Sequence, residues 1–284
     1  MATSKTGPVL FEVPIDTGDK ETSGNIICTE PASKVYLLTF SSGPDNRLRS
    51  AFCTALILAL DIIEHRHAPG VVITTSSSPK FYSNGMDIEH ALTTPTYFET
   101  CLYPLWHRVL TFPMPTVAVL PGHAFAGGFI LALLHDYRIM NPAKGWLCMN
   151  EIQLGGALRS QMMAVFRTKV RDAVVQRKII LEAHRFPAQE ALRERLVDRV
   201  GGLEEAMGLV GELGLVKNAQ KGATGWSAYG ELKRELWRDA VRDLGDWKRD
   251  AVGSGAMGRE IEREKGEARR RVEVWERGSG RARL

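Results

Sequence analysis

Residues 116–140 read TVAVLPGHAFAGGFILALLHDYRIM, and this stretch decides the fold class. The run Thr116–Leu120 is short, apolar and rich in β-branched residues, so it predicts a buried strand. A Pro-Gly turn follows, and the apolar segment from Ala126 to His135 predicts a helix that begins on a glycine pair. The run Tyr137–Met140 predicts a second strand. Strand, helix and strand in this order predict a crossover between parallel strands.

The same alternation continues outward in both directions. Further strands are predicted at Val35–Phe40, Val71–Thr75 and Trp146–Met149, and helices are predicted from near Asn46 to Ile63, at 96–110, at 160–166 and at 171–181. We therefore expect an α/β core over residues 34–200, with helices packed on a mainly parallel sheet. Residues 1–33 contain three prolines and no sustained period, so they predict a loose lead-in with one strand.

Residues 201–284 have a different character, because predicted strands stop and Glu, Lys, Arg and Ala dominate. We expect a helical extension here. Two apolar stripes are predicted to pack on the core or on a neighbouring subunit: Leu232, Leu236, Ala240 and Leu244, then Ile261, Ala268, Val272 and Trp275. The basic run Arg269–Arg271 lies among many glutamates, which favours a solvated helix face over a nucleic-acid site.

The composition is that of an ordinary globular chain, with 44% hydrophobic and 25% charged residues. A net charge of +4 is mild and does not require a polyanionic partner. The longest apolar runs are far shorter than the roughly 20 residues of a membrane span, and the first residues do not resemble a secretory signal. The four cysteines are widely spaced, so we expect buried thiols and no metal site.

Two loops that follow predicted strands are the candidate site. They are Phe81–Asp87 and Gly122–Gly128. Each contains glycine where we expect two backbone segments to come close together, and the second leads into a predicted helix. The first N–H groups of a helix have no partner within it and favour negative charge. This pattern is typical of a site that holds an oxyanion.

These loops carry a family resemblance. The run GHAFAGGFILALLHDYRI at 122–139, the run KFYSNGMD at 80–87 and the run FPAQEALRERLVDRV at 186–200 resemble, in order, segments of the crotonase superfamily of enoyl-CoA hydratases and isomerases. The resemblance implies an α/β fold with a spiral core of ββα units, followed here by the C-terminal helical extension. It also implies an acyl-CoA thioester substrate, no cofactor beyond the coenzyme A of that substrate, no metal, and a homotrimer or hexamer.

The resemblance further implies the roles of particular residues. The backbone N–H groups of Met86 and Gly127 would hold the thioester oxygen, and Glu151 would be the catalytic carboxylate. The substrate pocket would include Ile130, Asn84, Gly85, Asp87 and Gly128. Apolar neighbours would raise the pKa of Glu151 by desolvation. Of the nearby histidines, His123 is expected to hydrogen-bond its loop, and His135 with Asp136 to form a turn with a helix-terminal cation.

The reaction follows from the placement of acids. Similar hydratases carry a glutamate where this chain has Ile130, and water addition needs two carboxylates, whereas a proton shift needs only one. The resemblance therefore implies a Δ3,Δ2-enoyl-CoA isomerase of β-oxidation that uses Glu151. Two alternatives stay open: an enoyl-CoA hydratase or other CoA-ester lyase, and a non-catalytic relative that binds acyl-CoA or RNA, although a nucleic-acid partner is not the expectation.

The last three residues, Ala282, Arg283 and Leu284, form a small-basic-leucine triplet that resembles the peroxisomal S-K-L address. We expect a peroxisomal import receptor to bind this triplet, and we expect the protein in the peroxisomal matrix. The cytoplasm is the alternative location.

Overall fold

The computed structural model describes residues 7–220, 227–246, 250, 253 and 255–278. Ten strands are present within these residues: β1 (Val9–Ile15), β2 (Gly24–Ala32), β3 (Val35–Ser42), β4 (Val71–Ser76), β5 (Phe81–Ser83), β6 (Thr116–Leu120), β7 (His123–Phe125), β8 (Tyr137–Met140), β9 (Leu147–Cys148) and β10 (Arg199–Val200). They form a seven-stranded sheet in the order β1-β2-β3-β4-β6-β8-β10 and a three-stranded sheet in the order β5-β7-β9. The expected α/β class is confirmed.

The expected parallel core is confirmed for most of the large sheet. Strands β3, β4, β6, β8 and β10 run parallel, while β1 and β2 add on in antiparallel pairs. The expectation of one strand in a loose lead-in was wrong for the described part of that segment, because both β1 and β2 belong to the sheet. Proline is compatible with them: Pro14 lies in an edge strand, and Pro31 lies where the β2–β3 register shifts.

Helices α1 to α7 lie in the connections between strands, and α8 to α12 follow the last strand. They are α1 (Ser50–Arg66), α2 (Ile88–Thr93), α3 (Tyr103–Leu110), α4 (Gly127–Leu134), α5 (Ser160–Lys169), α6 (Ala173–Leu181), α7 (Ala188–Arg193), α8 (Leu203–Glu212), α9 (Leu215–Asn218), α10 (Ala228–Leu236), α11 (Arg238–Gly245) and α12 (Ala256–Gly278). A π-helical turn, Phe98–Leu102, precedes α3, and a 3-10 helix, Glu151–Leu154, follows β9.

The first helix begins later than its sequence predicts. Asn46 has a positive φ of 54°, and its side-chain Oδ1 accepts a hydrogen bond from the Ser42 N–H at 2.8 Å. Its Nδ2 donates to Ser76 Oγ at 2.7 Å. The Asn46 side chain therefore holds the loop between β3 and α1 against the end of β4, and it does not cap α1.

Successive side chains of a strand point to opposite faces of the sheet, and helices cover the large sheet on both faces. Tyr36 and Leu38 of β3 join a large core with α1, α3 and α4, whereas Val35 and Leu37 join a smaller core with α8 and α9. Parallel strands that are buried on both faces have nearly continuous apolar sequences, and for this reason β3, β4 and β6 are easy to predict from the sequence.

Only part of the C-terminal stripes packs on the core, and packing of the rest on a neighbouring subunit stays a prediction. Ala240 and Leu244 are buried on α11, but Leu232 and Leu236 are 71% and 61% exposed because the helix breaks at Trp237. The buried face of α10 instead carries Gly230 and Lys233. In the second stripe, Ile261, Ala268 and Val272 are exposed on α12, and the Trp275 side chain is not among the described ones. The basic run Arg269–Arg271 on the same helix is also exposed.

Candidate active site

The small sheet brings three loops to one edge. Its strands β5, β7 and β9 are parallel, with β7 in the centre, so the segments that follow them start side by side. These segments are 84–87, 126–128 and 149–151. The Ala126 N–H donates to the Cys148 carbonyl at 2.8 Å, which ties the second segment to the third. The first and third segments are more than sixty positions apart in the sequence, yet all three start at the same edge of the small sheet.

The Met86 N–H is aimed by a hydrogen bond on the other side of its own peptide group. The Gly85 carbonyl accepts from the Leu48 N–H at 2.9 Å. Because a trans peptide is planar, its N–H and C=O point in opposite directions. The Met86 N–H therefore points away from Leu48. On the next peptide, Arg47 donates to the Met86 carbonyl at 2.9 Å, so both sides of Met86 are held.

The Gly127 N–H is aimed in the same way. The Ala126 carbonyl accepts from the N–H groups of Phe129 and Ile130 at 3.0 and 3.2 Å, so it points into the first turn of α4. The N–H of Gly127, on the same peptide, points out of the helix end. Ala126 takes φ 51° and ψ −123°, a costly conformation for a residue with a side chain, in order to make this turn.

The two N–H groups lie close together and are free to bind a ligand. A Cβ on Gly85 would lie 2.9 Å from the Gly127 nitrogen, and a Cβ on Gly127 would lie 3.5 Å from the Met86 nitrogen. Among the hydrogen bonds of the described residues, neither the Met86 nor the Gly127 N–H is a donor. The arrangement can hold one oxyanion between two fixed donors.

Glycine is required for this approach of the two loops. Gly85 has φ 81°, and a Cβ there would lie 2.8 Å from the Ala126 Cβ. A Cβ on Gly128 would lie only 2.4 Å from the Ser83 carbonyl oxygen, which is backbone and cannot move aside. Gly85 and Gly128, predicted to line the pocket, thus allow the loops to pack against each other.

Glu151 opens the 3-10 helix after β9 and is half-buried. Its Oε2 is buried and has no hydrogen-bond partner among the residues that the structure describes. Burial raises the pKa of this carboxyl to about 7, with a smaller opposing effect from a backbone hydrogen bond. The sequence hypothesis expected a raised pKa, and the structure gives the same direction and cause. A carboxyl of this kind can accept and return a proton near neutral pH.

The other predicted pocket residues have structural partners. Asn84 Nδ2 donates to Asp45 Oδ2 at 2.6 Å. Asp87 caps α2 and pairs with Arg49 at 2.6 Å; burial opposes its ionisation, but the His90 N–H and Arg49 hold its pKa below the usual value. Both side chains fix the Met86 loop. Ile130 is 1% exposed, so an apolar side chain fills its position on α4.

The segment 45–49 was missed by the sequence analysis, which expected it to start a helix. Its side chains and backbone hold the Met86 loop, and Arg47 also pairs with Asp45 at 3.1 Å. The Leu48 carbonyl in turn accepts from the Tyr97 hydroxyl. No local signal marks this role, because the contacts with Met86, Asn84 and Tyr97 span about forty residues or more of the chain.

The histidines divide into one confirmed expectation and one error. His123 Nδ1 accepts from the Trp146 N–H at 3.2 Å, so it holds its loop as expected. His135 is not a cation, because burial lowers its pKa to about 3. Its Nδ1–H donates to the Leu131 carbonyl at 2.9 Å, and its Nε2 lies 2.9 Å from the Thr74 hydroxyl. A neutral, fully bonded ring therefore ends α4.

The residues that the structure describes contain no cluster of three His, Cys, Asp or Glu side chains that is able to hold a metal ion. Within the same part of the chain, no helix combines the length and apolarity needed to cross a bilayer. All four cysteines are free thiols; Cys28, Cys53 and Cys148 are buried, as expected, and Cys101 is half-buried.

Comparison with known proteins gives a consistent result. The sequence profile of the family described as enoyl-CoA hydratase/isomerase matches residues 30–214. The chain is 27% identical over 231 residues to enoyl-CoA delta isomerase 2, peroxisomal, of Arabidopsis thaliana, covering 77% of this chain and 95% of the relative. It is 29% identical over 230 residues to the plant's enoyl-CoA delta isomerase 1, peroxisomal, covering 77% and 93%.

A solved structure confirms the fold. The crystal structure of human mitochondrial delta3-delta2-enoyl-CoA isomerase superposes with a TM-score of 0.63 at 23% identity, covering 85% of this chain and 98% of that one. The expected crotonase-type core is therefore confirmed as the fold.

Proposed function

The chain belongs to the enoyl-CoA hydratase/isomerase family, and from that premise we propose that it is a Δ3,Δ2-enoyl-CoA isomerase. The observation that carries this proposal is Glu151, whose buried Oε2 lacks a partner and whose pKa is raised to about 7 by burial. A carboxylate with this property takes up a proton readily, and Glu151 ends segment 149–151, which follows β9 beside the loop of the Gly127 N–H.

The proposed mechanism needs one carboxylate and two donors. Glu151 removes a proton from C2 of a 3-enoyl-CoA, and the electron pair spreads as a dienolate onto the thioester oxygen. The N–H groups of Met86 and Gly127 bind that oxygen; donors of this kind contribute roughly 2.7–4 kcal/mol each in other enzymes. Glu151 then returns the proton at C4, which gives the 2-enoyl-CoA. The sequence of steps uses no metal and no redox cofactor.

The side chain at position 130 favours isomerisation over hydration. Addition of water needs one group to activate the water and another to deliver a proton. Ile130 is 1% exposed and apolar, so it supplies neither function on α4. A single carboxylate that moves a proton between two carbons of the same substrate is sufficient for an isomerase.

The direct test uses two substrates in separate reactions. Purified protein should convert 3-hexenoyl-CoA to the conjugated 2-enoyl-CoA, measured by the absorbance of the conjugated thioester, and should leave 2-hexenoyl-CoA unhydrated. Glu151→Gln keeps the shape but cannot accept the proton, so kcat should fall by about 10²–10⁴-fold.

The matched control is Glu204→Gln, which removes an exposed carboxylate on α8 and should keep full activity. Rapid hydration of 2-hexenoyl-CoA would favour the hydratase instead. No reaction with either substrate would favour a relative that only binds acyl-CoA.

We also propose a peroxisomal location and a homotrimeric or hexameric assembly. The two plant relatives carry peroxisomal names, which supports the location. The expected address, Ala282, Arg283 and Leu284, lies outside the described residues. A fluorescent fusion should enter peroxisomes, and removal of these three residues should leave it in the cytoplasm. Light scattering of the purified protein tests the assembly.

A further inference from the structure

A cavity of about 580 Å³ lies between the end of α5, the start of α6, the end of α7 and Trp237. It is separate from the proposed active site. Lys169, in its lining, donates to the His135 carbonyl at 3.1 Å, at the C-terminal end of α4, whereas Gly127 lies at the other end of that helix. Eight residues of helix separate the two places by about 12 Å.

The cavity carries more positive charge than its own carboxylates can balance. Its cations are Lys169, Arg171, Arg193 and Arg195, and its carboxylates are Asp172 and Glu194. Both carboxylates already have other partners. Asp172 caps α6 by accepting from the Val174 and Val175 N–H groups, and Glu194 pairs with Lys178 at 2.9 Å. Among the described residues, none of the four lining cations forms an ion pair.

Lys169 is the surplus cation of a wider buried network. The nearby carboxylates are taken: Asp136 pairs with Lys233 at 2.8 Å, and Asp198 pairs with Arg138 at 3.1 Å. Within the described part of the chain, the Lys169 Nζ has as partners a carbonyl and the Trp237 ring, whose centroid is 4.2 Å away. Burial, together with Arg138 and Lys233 and against Asp136 and Asp198, lowers the Lys169 pKa to about 7. An anion placed here would supply the missing negative charge.

We propose that this cavity binds a small anion that carries phosphate groups. Three arginines with free guanidinium groups suit phosphate, because each planar group presents paired donors to phosphate oxygens. The volume falls within the range of small-molecule sites. The shared chemistry is a diphosphate, which a free diphosphate or a nucleotide would provide, and Trp237 adds an aromatic ring to the lining.

The test is calorimetric titration of the full-length protein with pyrophosphate at constant low ionic strength. We expect binding to the unaltered protein and a loss of affinity of about tenfold or more in Arg193→Gln and in Arg195→Gln. Both arginines are exposed, so these variants should fold normally. Arg66→Gln, which removes an exposed arginine at the end of α1, is the matched control and should bind like the unaltered protein.

Absence of binding to the unaltered protein would overturn the proposal, as would the same loss in Arg66→Gln. A parallel titration with ADP identifies the source of the diphosphate. Tighter binding of ADP than of pyrophosphate, lost in Trp237→Leu, indicates a nucleotide; equal binding indicates a free diphosphate. Because the readout is binding at a place remote from Glu151, its failure would leave the proposed isomerase activity intact, and the reverse also holds.

Discussion

The two ends of α4 differ in whether their backbone polar groups have hydrogen-bond partners. At the N-terminal end, the Gly127 N–H is turned outward and has no hydrogen-bond partner in the described ranges of the chain. At the C-terminal end, the His135 carbonyl accepts from both Lys169 and Arg138, and the Leu131 carbonyl accepts from the His135 ring. Free donors suit a site that must receive negative charge, whereas satisfied acceptors anchor a helix. One short helix thus combines a functional end and a structural end.

The largest expected effect comes from breaking the structural end. Lys233 and Asp136 have side chains only 3% and 9% exposed, so Lys233→Met would leave a carboxylate buried without its cation. We expect the free energy of unfolding to fall by about 3–5 kcal/mol. Chemical denaturation measures this loss.

A second variant separates charge burial from packing. Asp136→Asn combined with Lys233→Met removes both charges and should recover part of the loss. Lys265→Met, which breaks an exposed pair with Glu262 on α12, should not change stability measurably. Equal effects of Lys233→Met and Lys265→Met would contradict the assignment of this end as structural.

The next effect comes from breaking the functional end. Gly128→Ala places a Cβ 2.4 Å from the Ser83 carbonyl oxygen, so the two loops must move apart. The spacing of the Met86 and Gly127 donors then changes, and we expect kcat/KM for 3-hexenoyl-CoA to fall by about 10²-fold. The variant is assayed well below its unfolding temperature, so that a fall in activity cannot result from unfolding of the protein.

Gly211→Ala is the control for that substitution. A Cβ at Gly211 meets nothing within 4 Å, so this change should leave kcat/KM unaltered and stabilise α8 by about 0.5–1 kcal/mol. Full activity in Gly128→Ala would show that the close contact of the loops is not needed.

The buried carboxyl makes a pH-dependent contribution to stability. The folded-state pKa of Glu151 is raised to about 7, above the value near 4.3 of an unfolded glutamate, so the folded protein binds the proton more tightly. Stability should therefore fall as pH rises from about 4.3 to 7. Glu151→Gln removes this dependence and should be more stable than the unaltered protein above pH 7, by on the order of 3–4 kcal/mol.

The measurement is a set of denaturation curves across this pH range for both proteins. Their difference should shrink toward zero at low pH. The activity of the unaltered enzyme should rise with pH through the same region, since the ionised carboxylate is the base. A difference in stability that does not change with pH would contradict the burial of the Glu151 carboxyl.

The smallest effect tests how the Met86 donor is held. Arg47→Met frees the Met86 carbonyl, but the Leu48 N–H still fixes the preceding peptide group. We expect kcat to fall by less than about tenfold, which corresponds to about 1 kcal/mol, with little change in KM. Arg66→Met is the control. A loss as large as that of Gly128→Ala would show that Arg47, rather than the Leu48 N–H, orients the donor.

Much of the fold could be read from local patterns. Strands β6 and β8 match their predicted limits, and α4 lies within the predicted helix, because these segments are largely buried and mostly apolar. The edge strand β1 was harder to predict, since it contains Pro14, and proline is tolerated in a strand mainly where one side of that strand is unpaired. The break at Trp237 was also missed, because helical periodicity continues across it.

The sequence by itself determined the α/β class, the glycine pair at the start of α4 and the residue types available for chemistry. It specified Glu151 and Ile130 as side chains, but not the burial that raises one pKa. Only the tertiary structure decided that Leu48 aims the Met86 N–H and that Lys169 is left without a carboxylate. The physical reason is that periodicity and turn chemistry act between near neighbours, whereas burial, peptide orientation and charge balance depend on groups brought together from distant parts of the chain.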